Sequence, residues 1–410
     1  MKTAWLHGAA TSLALASSIL MNNPAHAAER LRTVASQPSW VLENSNIELA
    51  LTRLGGHMAP VTFLRDTPHP VRPYHVSPWQ GEKHDYPVPV LVPLRGDFFC
   101  LPFGGNDVAV NGEKHPPHGE TAGSEWRLAS RTRGKEGRVA TLATVMETKV
   151  RRGRVTKELS IVEGENVVYS RHVIEGFAGA TPLGHHATLA MPEKEGVFRV
   201  STSPLRFGMV APGLFSDPAK AEYQALQVGA RFTDIHRVPM AWKGAADADL
   251  ASLPARKGHA DLVLLLNEPG ERAWVTATRR DEGWVWFALK DPAILNGTLL
   301  WIENHGRHGL PWFGRNHCVG IEDITGHWAD GLAASIAPNV LTREGVRTSV
   351  ELSAKRPTSV QYIQGVVRVP AGFEEVRTLE FGPGTVTFVS TAGHRVAAPV
   401  RHEFLKTGKL

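Results

Sequence analysis

Apolar and polar residues alternate with a period of two along most of this 410-residue chain. That spacing suits strands, whose successive side chains face opposite sides of a sheet, and does not suit helices. Residues 46–51 alternate, and Gly55-Gly56 turns the chain into a second run at 59–64. Residues 138–150 and 155–161 flank Gly153, and 167–174 alternate again. Residues 274–278 lead through Arg280-Asp281-Glu282-Gly283 into 284–288, a hairpin signal. Further strands are expected at 298–301, 348–352, 361–369 and 385–389, and a buried one at 262–266. Helical spacing is confined to 218–226 and one turn at 329–334. The 39 Gly and 28 Pro suit many turns rather than long helices. The expectation is an all-β chain, a large antiparallel β-sandwich with long loops. No Ser-, Pro- or Gly-rich linker and no internal repeat divides it, so residues 28–410 read as a single domain. Residues 65–90, rich in Pro and His, read as a long surface loop.

The first residues resemble an export signal. Lys2 precedes an apolar run over about 9–21, and Ala25-His26-Ala27 is a small-x-small cleavage site. Residues 1–27 are therefore expected to be a cleaved signal peptide, and the mature chain periplasmic or secreted. No later apolar segment is long enough for a membrane helix, so no membrane partner is expected. The net charge of +5 is modest, and no nucleic-acid reader motif accompanies it, so nucleic acid is not expected either. The basic cluster of Lys149, Arg151, Arg152, Arg154 and Lys157 reads as the outer face of a hairpin. Cys100 and Cys318 allow either a disulfide or two buried thiols.

Three polar motifs interrupt the strand pattern. Pro116-Pro117-His118-Gly119 precedes Trp126 by eight positions from the His. Gly184-His185-His186 opens an alternating run through Leu189 and Met191. A loop crowded with His305, Arg307, His308, Trp312, Arg315 and His317 leads into Val319-Gly320-Ile321-Glu322-Asp323. A carboxylate on a rigid strand facing imidazole, guanidinium and indole groups can move protons on a polar ring. Asp323, which faces the other side of the same strand, is the rival acid.

Together with the opening hairpin at 46–64, these motifs resemble the aldose 1-epimerase (galactose mutarotase-like) superfamily. The resemblance implies a supersandwich fold with no metal and no cofactor. It implies Glu322 as general base on the anomeric hydroxyl and His186 as general acid toward the ring oxygen, with His185 as the alternative to His186. It makes His118 a sugar ligand. Asp261, in a segment similar to the family's hydroxyl-binding Asp, and Arg95 are further expected ligands. Trp79, Trp312 and Trp328 are candidates to stack on sugar. The expected partner is a small sugar or the end of a carbohydrate polymer. Glu120-Thr121 after His118-Gly119, and Thr188-Leu189-Ala190 after the second motif, depart from the family pattern and leave sugar specificity open.

Anomer interconversion needs a base and an acid near neutral pH and no metal. Burial would raise the Glu322 pKa, while neighbouring Arg and His are expected to hold it anionic. Two other classes remain. One is a non-catalytic carbohydrate-binding or polysaccharide-processing accessory protein of the same fold. The other is a metal-dependent hydrolase or lyase using His185, His186, His305, His308 and His317, although Gly306 and Gly309 oppose the helix that would aim the loop histidines at one ion.

Overall fold

The computed structural model describes Met1, residues 31–134 and residues 137–410. The expected signal peptide lies outside the described residues apart from Met1. Residues Leu31–Leu410 pack as one unit built almost wholly of antiparallel strands. One sheet has eleven strands and a second has nine. In the middle of the first sheet lie, side by side, Asp97–Cys100, Leu183–Ala190, His317–Thr325, Gly297–Asn304 and His259–Asn267. In the middle of the second lie Ala273–Arg279, Trp284–Lys290, Thr358–Arg368 and Val167–Glu175.

The two sheets stack face to face over a core that includes Leu189, Val263, Leu300 and Ile321 from the first, and Leu159, Val275, Trp286 and Val360 from the second. Both sheets are covered again on their outer faces. A three-stranded sheet, Val376–Gly382, Thr385–Ser390 and Arg395–Pro399, closes the outside of the nine-stranded sheet. There Phe388 packs on Phe287 with ring centroids 5.0 Å apart. Loops carrying Trp79, Leu91, Phe103 and Trp328 cover Phe98, Leu264 and Trp301 on the outside of the eleven-stranded sheet. Strands buried on both faces need apolar residues at odd and even positions alike. This is why 262–266 and 284–289 read as unbroken apolar runs.

Some expectations fail locally. Residues 218–226 do not form a helix. A single 3₁₀ turn, Pro218–Lys220, is capped by the Asp217 side chain and ends at Ala221, whose φ of 57° leaves the helical region. The one-turn helix expected at 329–334 starts later, at Leu332–Ile336, because Gly331 has φ 86°. The 65–90 segment is not purely a surface loop, since Tyr74 and Trp79 are buried and Tyr74 bridges Leu189. Lys157 does not join the exposed basic face. Its ammonium is buried and donates to the carbonyl of Gly56 at 2.5 Å. Among the described residues no helix is long and apolar enough to cross a membrane.

A buried ion pair crosses between the stacked sheets. Lys290 Nζ donates to Asp323 Oδ1 at 2.6 Å, and Thr298 and Tyr362 also donate to that carboxylate. Lys290→Met would leave a buried carboxylate without its cation, which costs about 3–5 kcal/mol in comparable cases. Urea unfolding should register a loss of that size. The double variant Lys290→Met/Asp323→Asn should recover most of it; an undiminished loss there would trace the effect to packing rather than to charge.

Candidate functional site

Alternation along the central strands sends one set of side chains into the inter-sheet core and the other to the outer face of the eleven-stranded sheet. Phe98, His186, Trp301, Glu322 and Leu262 share that outer face. Together with the loops above it they line a cavity of about 360 Å³. His118, Asp107, Phe215, Arg307 and Trp312 reach the cavity from those loops.

Strand register makes the central contact. Ala187 pairs with Ile321 and Gly184 with Ile324, which puts His186 across from Glu322. His186 Nε2 lies 3.2 Å from Glu322 Oε1. Gly320 gives that carboxyl its room, because a Cβ at 320 would come 2.4 Å from Glu322 Oε1 and 3.1 Å from the Cβ of Trp301. On its other side His186 stacks on Phe98, with centroids 4.4 Å apart and planes 19° from parallel. His57 stacks on the far face of Phe98 at 4.0 Å.

His118 meets His186 edge to face at 5.1 Å. The loop that presents it is tightly specified. His118 has φ 60° and donates its backbone N–H to Gly104 O at 2.7 Å. The next residue must be glycine, since a Cβ there would lie 1.9 Å from the carbonyl oxygen of Leu101. The His-Gly pair is thus a packing requirement of the turn as well as the device that aims the imidazole. Above it, Trp312 packs edge to face with Trp301 at 5.7 Å and with Trp79 at 4.8 Å. The Arg307 guanidinium lies over Phe215, 4.5 Å from the ring centroid.

Burial sets the charges. It raises the Glu322 carboxyl well above its ordinary range. It lowers His186 well below the usual imidazole value, with His118 and His57 adding repulsion, and it lowers His118 to about 4. Each shift favours the uncharged form of its group. Of the two opposing influences expected on Glu322, burial outweighs the neighbouring arginine and histidine. Cys100 and Cys318 are free, buried thiols, raised by the same cause.

The structure thus gathers His118, His186, Glu322 and Trp312 at one cavity and leaves the other expected residues elsewhere. His185 points to the opposite face, where its Nδ1 lies 2.9 Å from Asp97 and its ring stacks on Tyr362. Asp261 also faces away; its carboxylate accepts the backbone N–H groups of Ala225 and Leu226 at 3.0 and 2.9 Å. Arg95 is buried and donates to the carbonyls of Val34, Ala35 and Pro93. Asp323 is the core ion pair described above, which removes it as a rival to Glu322 at the cavity. Trp79 backs Trp312, and Trp328 is buried with its indole N–H on Met209 O, so neither lines the cavity. Of the five histidines considered for a metal, His305 and His317 adjoin, while His185 and His186 lie on opposite faces of their strand. Phe98, Trp301 and Asp107 were not singled out from the sequence, whereas Arg307 was named there in the crowded loop. Strand parity relative to Glu322 could have found Trp301; nothing in the sequence marks Asp107.

No protein-family model matches the chain, and no curated protein matches its sequence. Solved structures do. A candidate aldose 1-epimerase from Escherichia coli K12 superposes with a TM-score of 0.53 at 12% identity, over 81% of this chain and 99% of its own. The galactose mutarotase related enzyme from Lactobacillus acidophilus gives 0.50 at 12% identity, over 81% and 99%. A galactose mutarotase-like protein from Clostridium acetobutylicum gives 0.51 at 9% identity, over 83% and 98%. The chain has the galactose mutarotase-like fold.

Proposed function

We propose that the cavity binds a sugar, free or at the end of a polymer, and interconverts its anomers by proton transfer between Glu322 and His186. One observation carries this reading: a carboxyl and two imidazoles, far apart in sequence, converge in a concave site walled by Phe98, Trp301 and Trp312. The cavity volume is at the small end of the range for small-molecule sites. Indole faces suit the apolar face of a pyranose, and Arg307 and His118 offer hydrogen bonds to its oxygens.

Ring opening moves two protons. One leaves the C1 hydroxyl as the C1–O5 bond breaks and C1 becomes an aldehyde. The other arrives on O5. Rotation about C1–C2 and the reverse transfers close the ring on the other face. The resemblance to mutarotases gives Glu322 the base's part and His186 the acid's. Burial favours the uncharged form of both groups, an imidazole that can accept a proton and a carboxyl that can give one. Because closure reverses opening, each group serves both parts in a full cycle. The same fold names its solved relatives as epimerases and mutarotases, which supports the reading without fixing the sugar. An export leader over residues 1–27 would put this activity outside the cytoplasm.

Saturation-transfer or time-resolved NMR on freshly dissolved α-glucose and α-galactose tests the reaction. Wild-type protein should speed the approach to anomeric equilibrium, and Glu322→Gln and His186→Gln should each lose about 10²–10⁴-fold of that effect. Binding of sugar without any acceleration would favour a non-catalytic carbohydrate-binding protein instead.

The charges generate a second expectation, on stability. A His118 that is neutral down to about pH 4 when folded, and to about 6.5 when unfolded, lets only the unfolded chain take up the proton between those values. Its contribution is present above pH 6.5 and is lost as the pH falls through about 4. Denaturant unfolding should show stability dropping over that interval. His118→Gln should make the drop shallower by about 3–4 kcal/mol, since each tenfold change in proton affinity is about 1.4 kcal/mol. An unchanged slope would show that His118 is not held neutral.

A further inference from the structure

We propose that His305, His317 and Glu193 bind a divalent transition-metal ion of the zinc class, which staples the base of the loop at residues 305–316. Among the described residues these three side chains each offer one ligand atom, all within 4.8 Å of one another. Two imidazoles and a carboxylate, with water completing a tetrahedron, form a known ligand set for such an ion.

The histidines are prepared for this. His305 stands in the left-handed region, with φ 61°, and its backbone N–H donates to Asn316 O at 2.8 Å. Its ring Nδ1 lies 2.9 Å from Gly314 O, which fixes that nitrogen as the protonated donor and leaves the Nε2 lone pair free. A backbone carbonyl on the rear nitrogen is how metal-binding histidines are commonly oriented. His317 pairs with Asn304 across the two strand ends, and its ring centroid lies 5.0 Å from that of His305. His317 Nε2 is buried and has no partner. A buried ring nitrogen without a partner requires an explanation, and an ion held at this cluster supplies one. The Glu193 carboxylate lies 3.3 Å from His317 Nδ1.

The position has a consequence for the cavity. His305 and His317 bracket the loop that carries Arg307 and Trp312 to the cavity wall. His317 sits at a position of the opposite parity to Glu322 on one strand, so the ion and the sugar would occupy different places. The proposal therefore does not rest on the sugar reading and survives its failure.

The test uses full-length protein purified without a histidine tag and stripped with chelator, then titrated with Zn²⁺ by calorimetry and with Co²⁺ by visible absorption. One ion per chain is expected, with an absorption band of low-coordinate Co²⁺ that Zn²⁺ displaces. His317→Gln and His305→Asn, the latter tolerant of a left-handed backbone, should weaken binding by more than the roughly 10–100-fold that loss of an outer partner costs. Glu193→Gln, at an exposed position, should weaken it also, and Zn²⁺ should raise the melting temperature of the wild type but not of the histidine variants. His308→Gln, in the same loop but outside the cluster, should bind as the wild type does. Absence of stoichiometric binding, or binding that His317→Gln and Glu193→Gln leave unchanged, overturns the proposal.

Discussion

Everything at the cavity depends on strands that are buried on both faces. Three adjacent pairs of residues divide between those faces: Asp97 and Phe98, His185 and His186, Asp323 and Glu322. The second member of each pair forms the cavity floor. The first member is anchored in the core between the sheets. Asp97 holds His185 and accepts from Gln364 at 2.8 Å, and Asp323 holds Lys290 and Tyr362. A slip of one residue in any of these strands would exchange the two sets, stranding Asp323 above the sheet and Glu322 among apolar side chains. The buried polar layer therefore makes the register unambiguous, and the register is what brings His186 opposite Glu322.

That arrangement carries an electrostatic tension. Burial of the floor favours the uncharged forms of Glu322 and His186, yet the proposed proton transfer needs both groups able to change state. The close pairing of the two resolves this, since a proton moving from one to the other changes no net charge in the buried site. A lone acid in the same place would have to ionise against the full cost of desolvation. Asp97, Asp323 and Lys290 sit on the opposite face of the sheet, and Asp107 and Arg307 reach the cavity only from its loops.

Much of this was legible in the amino-acid sequence, and the boundary of legibility is physical. Period-two alternation identified the strands, and the unbroken run at 262–266 identified a strand covered on both sides. Glycine was informative where a Cβ has no room, at Gly119 beside His118 and at Gly320 beside Glu322. These glycines are why the His-Gly and Val-Gly-Ile-Glu motifs can be read at all. What could not be read was whether a charged residue within an apolar strand serves ligand or backbone. Asp261 and Arg95 look like ligands in one dimension. In three, one caps a loop and the other gathers three carbonyls, tasks whose partners lie up to 61 residues away in sequence. Lys157 was misread for the same reason, its acceptor lying 101 residues distant.

The relocation of Asp261 and Arg95 changes what the cavity can select. With both committed to backbone groups, the polar contacts left to hold sugar hydroxyls come from loops: His118, Asp107 and Arg307. Strand-borne groups form the floor of the cavity and loop-borne groups form its wall. Loops tolerate replacement better than central strands do. On the proposed sugar reading, substrate choice would rest mainly on how two loop segments, one carrying Asp107 and His118 and the other Arg307 and Trp312, are held against the sheet. The second of these is anchored at its base by Glu303, whose Oε1 accepts the backbone N–H groups of Gly306 and Arg307 at 2.9 and 3.0 Å. Burial raises that carboxyl to about 7, so the anchor is half protonated near neutral pH and the loop's grip weakens as protons bind. The floor's chemistry and the wall's geometry thus answer to different groups, and a change in one need not disturb the other.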